Sequence, residues 1–440
     1  MRSALGRRVE FLTVLRNRDY RRYYVGMLAS VTGHQSLLAA KGWLVYDITG
    51  EPMALGLVAA AQAVPAVSFN LLTGALADRM DPRKLIMFGE GMAAALTFIL
   101  ATLTLTGLIE VWHILVIAFL TGAALAFDQP ARRALWPLLV PRHQFMFGAS
   151  MSQGIWNGTR VYAPALGTGI IALAGTIAGD FRLGAAVAFY VACFGFITMV
   201  TAAASIHLGE IRRSQGATIL HDIRDGLAFT YQNKIFLVLL LLGLFIGVFG
   251  LSSTQLMPAL AKENLGLGPA GLGFLLSMHG VGGVVGVFAV ASFGQYQGRP
   301  WLLGGGAALF GVSVALLGLS GHFGWLLGAV AFAALGGVLY TTFQVSANTL
   351  LILLVPSEFR GRVMGLRGIM WTLSPMGALL GGFIATQVNT PFAISVGGLV
   401  IVAGTALLFV VSKQLRNAGV LLREAEGREA EAPSTSSSSA

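Results

Sequence analysis

Ile235-Phe236-Leu237-Val238-Leu239-Leu240-Leu241-Leu242-Gly243-Leu244-Phe245-Ile246-Gly247-Val248-Phe249-Gly250-Leu251 carries no charged side chain, and the chain stays free of charge on to Ala261. A helix needs about 20 apolar residues to cross the hydrocarbon of a bilayer, so 235–261 is long enough to span one. Runs of the same kind recur on either side of it, at 22–46, 53–77, 85–106, 111–133, 146–173, 183–206, 270–292, 301–320, 323–349, 362–386 and 391–412. Together they predict an all-α membrane protein of twelve transmembrane helices. Composition agrees: 55% of the 440 residues are hydrophobic and 11% charged, where a soluble domain carries roughly a quarter charged residues. The 57 glycines fit the same reading, because small residues let membrane helices approach closely.

Cytoplasmic loops collect Lys and Arg, and 25 of the 29 such residues fall in 1–22, 78–84, 132–142, 212–234, 299, 360–367 and 413–428. The others are Lys41, Arg160, Arg182 and Lys262. Both termini are therefore expected in the cytoplasm of a bacterium, with the chain in its cytoplasmic (inner) membrane. The net charge of +10 then follows from topology and contact with anionic lipid headgroups, and no nucleic-acid partner is expected. The polar, arginine-rich first 22 residues lack the short apolar core of a cleavable leader. The first membrane helix should serve as the insertion signal. Cys193, the one cysteine, lies in an apolar run and can form neither an internal disulfide nor a thiolate metal site.

The longest polar interruption divides the spans into two sets of six. The expected organisation is a cytoplasmic segment 1–21, a six-helix bundle 22–206, a cytoplasmic linker 207–234, a second six-helix bundle 235–412 and a disordered tail 413–440. Within the linker, Leu220-His221-Asp222-Ile223-Arg224-Asp225-Gly226-Leu227-Ala228-Phe229 alternates faces with a helical period and predicts an amphipathic surface helix. Leu139-Val140-Pro141 and Leu354-Val355-Pro356 occupy matching places in the two halves, each before a helix bearing a proline, Pro164 or Pro375. Paired broken helices of this kind mark repeat-built transporters.

Charges inside membrane helices cost about 2.5 to 3.5 kcal/mol on insertion scales, so each is a functional candidate. His34 and Lys41 lie seven residues apart, on one face of the first helix. His34 is read either as a proton carrier or as a neutral imidazole bonded to a neighbouring helix. Lys41 is read as a cavity residue or, preferably, as snorkelling toward the outer interface. Gln153, Asn157, Arg160 and Pro164 form one stripe of the fifth helix, which a lipid-facing surface does not tolerate. Arg160 is a candidate clamp for carboxylate or phenolate oxygens, or else the salt-bridge partner of Glu90 or Asp128. His279, Thr341, Thr342, Gln344 and Asn348 are milder candidates in the second half.

Between the second and third spans stands Gly74-Ala75-Leu76-Ala77-Asp78-Arg79-Met80-Asp81-Pro82-Arg83-Lys84. It resembles the loop signature of the major facilitator superfamily. A carboxylate there can meet the positive end of a neighbouring helix dipole and so hold the cytoplasmic side closed. Asp78, Arg79, Arg83, Glu90, Asp128 and Arg132 are read as the gating group, with proton carriage the alternative for Glu90 and Asp128. The run Phe127-Asp128-Gln129-Pro130-Ala131-Arg132-Arg133-Ala134-Leu135-Trp136-Pro137-Leu138-Leu139-Val140-Pro141, with Trp43-Leu44-Val45-Tyr46-Asp47-Ile48-Thr49-Gly50 and Asn157, Arg160, Pro164 and Gly167, resembles the enterobactin-exporter branch, the transmembrane secretion effectors. The chain departs from that pattern in several places: Ala163 stands where the branch usually has glycine, 293–300 lacks the Asp-Arg of the signature, and His34 and Lys41 stand where smaller or acidic residues are expected.

The resemblance implies a proton-driven exporter of siderophores, macrolides or other drugs, working by alternating access. The runner-up readings are an uptake symporter of the same fold and a membrane receptor or scaffold. No Walker loop, His-Glu-x-x-His or Gly-x-Ser-x-Gly occurs in the sequence, so no catalysis and no cofactor are expected. The expected partners are a small-molecule substrate, protons and membrane lipids, with the chain a monomer. Because His34 and Arg160 lie near midplane, with Lys41 farther out, while Asp47, Glu90, Asp128 and Glu263 lie toward helix ends, the cavity should suit an acidic or neutral molecule.

Overall fold

The computed structural model of the chain describes residues 14–77, 80–208, 228, 230–231, 233–292, 300–355, 359, 363, 366–368 and 373–412. Among these there is no strand. The helices are α1 (Arg18–Thr49), α2 (Pro52–Ala77), α3 (Pro82–Leu105), α4 (Val111–Leu135), α5 (Phe145–Ala178) and α6 (Phe181–Ser205). They continue with α7 (Lys234–Asn264), α8 (Pro269–Ser292), α9 (Pro300–His322), α10 (Leu326–Leu354), α11 (Ser374–Gln387) and α12 (Thr390–Val411). Nine of the described helices are long and apolar enough to cross a membrane. Outside that set, α1 carries His34, Gln35, Ser36 and Lys41 along its middle, α2 is apolar over Pro52–Ala66, and α11 has 14 residues. The linker helix around 220–229 and the tail lie outside the described residues, apart from Ala228.

Local chemistry sets the helix ends. Asn17 caps α1 by accepting from the Asp19 and Tyr20 amides, and Gly50 ends it at φ 63°, a left-handed conformation that only glycine adopts freely. Asp81, Asp180 and Asn389 likewise accept backbone amides at the starts of α3, α6 and α12. Pro164 stays inside a continuous α5, whereas Pro375 stands in the first turn of α11, after a turn at Leu373. The most irregular helix is α7, which passes through π-helical turns at Ile246–Gly250 and Leu260–Asn264.

In the first half α1 packs on α5 and α6, α3 on α4 and α6, and α2 on α4. In the second half α8 and α9 pack on α10, and α9 and α11 pack on α12. Among the described residues the halves meet mainly where α5 crosses α8 and α2 crosses α11. Gly56 faces the Ala378 backbone, Gly382 faces Pro52, and Gly273 faces Thr168. Lys262 pairs with Asp47 and lies over the Trp43 ring. These contacts gather at the end of the molecule where α1, α5, α7 and α11 finish and α2 and α8 begin. At the opposite end, Arg22 and Arg83 donate to the Ser205 and Ile206 carbonyls, each at 2.7 Å. Two cations thus sit at the negative end of α6, where the helix dipole favours them.

Candidate functional site

Gly89 brings α3 close to α4: a Cβ there would press on the Ala124 carbonyl. This approach sets Glu90 of α3 beside Asp128 and Arg132 of α4. The Arg132 guanidinium donates from Nε to Asp128 Oδ2 at 2.6 Å, from Nη2 to Ser30 Oγ at 3.0 Å, and from Nη2 to Glu90 Oε1. Ser30 of α1 in turn donates toward Glu90, with both carboxylate oxygens at 2.9 Å. Side-chain exposure is 5% for Arg132, 1% for Glu90 and 4% for Asp128, so solvent screens the cluster little. His34 lines the same pocket with Gln129, Trp156 and Phe196. Asp128 Oδ1, Arg132 Nη1 and His34 Nδ1 are buried without a hydrogen-bond partner among the described residues.

Two carboxylates face one guanidinium here. With both ionised, one negative charge is left over in a poorly solvated place, and such a charge is costly. A proton on either carboxylate removes the excess while the other keeps its ion pair. Arg132 was expected in a gating group with Glu90 and Asp128, and the structure brings these three together. The salt bridge considered between Arg160 and either carboxylate does not form, because Arg132 occupies both.

Arg160, Gln153 and Asn157 do share a stripe of α5, with Arg160 and Gln153 exposed and Asn157 half-buried. Among the described residues Arg160 has no carboxylate partner. Its backbone carbonyl lies against Gly280 of α8. Lys41 differs from the snorkelling preferred for it: it is 7% exposed and donates to Gln62 Oε1 of α2 at 3.0 Å. A buried ammonium needs an acceptor, and Gln62 supplies one across the α1–α2 contact. Lys41 is not among the residues lining the His34 pocket.

Asp78 and Arg79 lie outside the described residues. Arg83 grips Asp81, with Nη2 at 2.6 Å from Oδ2 and Nε at 3.1 Å from Oδ1. The hydrogen bonds from Arg83 hold the Asp81 carboxyl below the usual carboxylate range. In the second half, His279 Nδ1 lies 3.2 Å from the Ala333 carbonyl, and Thr342 bonds back to Val338. Gln344 and Asn348 hold Arg367. Sequence reasoning had counted Arg367 as a loop cation and missed it as a site residue. Two amides one helical turn apart on α10 were the available signal.

Residues 10–425 match the family described as transmembrane secretion effector. Macrolide efflux protein A of Streptococcus pyogenes is 24% identical over 86% of this chain and 92% of its own length. The staphyloferrin A transporter of Staphylococcus aureus is 22% identical over 85% of this chain and 91% of its own. Among solved structures, an inward-facing, unoccupied bacterial homologue of the human lysosomal transporter Spinster superposes with a TM-score of 0.67 at 13% identity, covering 94% of this chain and 98% of that one.

Proposed function

Because this chain belongs to the transmembrane secretion effector family of the major facilitator superfamily, a family of membrane transporters, we propose that it exports a small organic molecule across the cytoplasmic membrane by proton-coupled alternating access. The observation that carries this reading is the gathering of the contacts between halves at one end, around Asp47–Lys262, Gly56–Ala378 and Gly273–Thr168. Lys and Arg enrichment orients the other end, with Asp81 and Arg83, toward the cytoplasm. On this reading those contacts lie at the outer side, and cargo for export is loaded from the cytoplasmic side. An efflux protein among the relatives supports the outward direction.

In this reading residues 22–206 and 235–412 are two six-helix bundles joined by the linker 207–234, twelve membrane helices in all, with both termini inside. His34, Glu90, Asp128 and Arg132 form the coupling site. A proton entering it cancels the excess carboxylate charge and changes what Arg132 holds. Arg160, with Gln153 and Asn157, contacts the substrate. Asp78, Arg79 and Arg83 belong to the gate of the cytoplasmic side. The cargo is acidic or neutral and rich in oxygen, since Arg160 repels a cation at depth. The membrane potential, negative inside, drives an anion outward by about 2.3 kcal/mol per charge per 100 mV.

The test is counterflow in proteoliposomes containing the full chain under an imposed pH gradient, with an acidic siderophore and a cationic dye as alternative cargoes. Exchange of the siderophore that weakens in Arg160→Gln supports the reading. Dye efflux indifferent to both the siderophore and Arg160→Gln contradicts the substrate assignment, and inward accumulation would make the chain an uptake symporter.

A further inference from the structure

The second half holds a cation that the coupling site does not use. Arg367, in the helical piece 366–368, donates from Nη1 to Asn348 Oδ1 at 2.7 Å and from Nη2 to Gln344 Oε1 at 3.1 Å and Gln344 O at 3.4 Å. All three acceptors are neutral. Among the described residues no carboxylate pairs with it. Among the described residues these contacts use Nη1 and Nη2 and give Nε no acceptor, although a guanidinium offers its N–H groups as a planar fork suited to an oxyanion.

The surroundings favour an occupant that brings its own charge. Arg367 and Gln344 are the polar lining of a cavity otherwise walled by Leu239, Leu240, Phe343 and Leu351. Gly243 on the same wall faces open space. One turn before Gln344, Tyr340 has its ring 6.3 Å from that of His279. A cation that is partly removed from water and has no counter-charge is costly, and the amides of Gln344 and Asn348 orient it without neutralising it.

We propose that Arg367 anchors an oxyanion site, in which its fork takes the carboxylate or phosphate-like group of an acidic ligand and Gln344 and Asn348 fix its direction. This names the substrate class for the exporter and rests on that reading for its role in transport, while occupancy by an anion can be measured without any transport. Two sources share the chemistry, a transported acid and a lipid headgroup.

The experiment uses the full chain in nanodiscs of zwitterionic phosphatidylcholine. Phenylglyoxal labelling of Arg367 is followed by mass spectrometry with citrate, with its uncharged trimethyl ester, or with phosphatidylglycerol added to the disc. Thermal melting is followed in parallel for wild type, Arg367→Gln and Arg367→Lys. The expected result is several-fold slower labelling with citrate and none with the ester, together with a citrate-induced rise in melting temperature that Arg367→Gln loses. If Arg367→Gln does not fold, the labelling of wild type still decides. Protection by phosphatidylglycerol alone overturns the substrate assignment and gives the site to a headgroup. No protection by either, or equal protection by the ester, overturns the oxyanion site. Citrate protection in a protein that moves no cargo counts against the export reading and leaves the site standing.

Discussion

Gly280 of α8 lies against the backbone carbonyl of Arg160 in α5, so close that a Cβ at Gly280 would fall inside the carbonyl's contact distance. Pro164 has no N–H to offer that carbonyl, which stands four residues before it. The backbone irregularity of one half is thus packed against a glycine of the other. Gly280→Val should push α5 and α8 apart at a cost of about 1–3 kcal/mol, typical of overpacking. Spin labels on Glu51→Cys and Val388→Cys, with Cys193→Ser, should report a population with longer separations. An unchanged distance distribution would show that the two helices tolerate the added bulk.

Asp47 and Lys262 join the same end from α1 and α7, with side chains 27% and 38% exposed. Solvent screening limits such a pair to about 0–1 kcal/mol. Asp47→Asn should therefore open that end by no more than about fivefold, read by the same labels. The charge-swapped double variant Asp47→Lys, Lys262→Asp should restore the closed population. Failure of the swap to recover it would assign the closure to packing alone.

Arg132 satisfies two buried carboxylates at once. Removing it in Arg132→Gln leaves them uncompensated and should destabilise the protein by about 3–5 kcal/mol, the range for breaking a buried ion pair. Adding Glu90→Gln to that variant should recover part of the loss in thermal melting. Equal melting of wild type and Arg132→Gln would mean that neither carboxylate depends on Arg132, as when both are protonated.

Asp81 accepts the Arg83 amide at the start of α3 and holds the Arg83 side chain. Its carboxyl is held low by Arg83, so the folded state binds its proton more weakly than the unfolded chain does. Its contribution is full above the ordinary Asp value of about 3.9 and is lost as pH falls through the lower folded value. Protection from hydrogen exchange, relative to the intrinsic rate, should fall at the first turn of α3 on acidification below about pH 4 in wild type. Asp81→Ala should lose about 0.5–2 kcal/mol of local protection at neutral pH, as for a lost cap.

Much of this was legible in the sequence because a membrane helix announces itself locally. The run expected at 183–206 is found at Phe181–Ser205, and that expected at 391–412 at Thr390–Val411. The i, i+4 spacing of Asp128 and Arg132 also lay in plain view, whereas the bond from Arg132 to Glu90 joins residues on different helices, and no periodicity encodes which helices touch. Lys41 looked like a snorkelling residue because its Gln62 partner sits on α2. Arg367 looked like one more cytoplasmic cation until α10 supplied Gln344 and Asn348. The π-turns of α7 have no marker in its Leu-rich run beyond Pro258.

The central claim is that proton entry on one side drives a small molecule out on the other. Inside-out vesicles carrying the full chain, given an acid interior, should accumulate an acidic siderophore in their lumen. Accumulation should collapse with a protonophore and lose its gradient dependence in Glu90→Gln while exchange persists. Accumulation that is unchanged when the pH gradient is abolished, or movement of cargo out of such vesicles under the same gradient, would contradict the account.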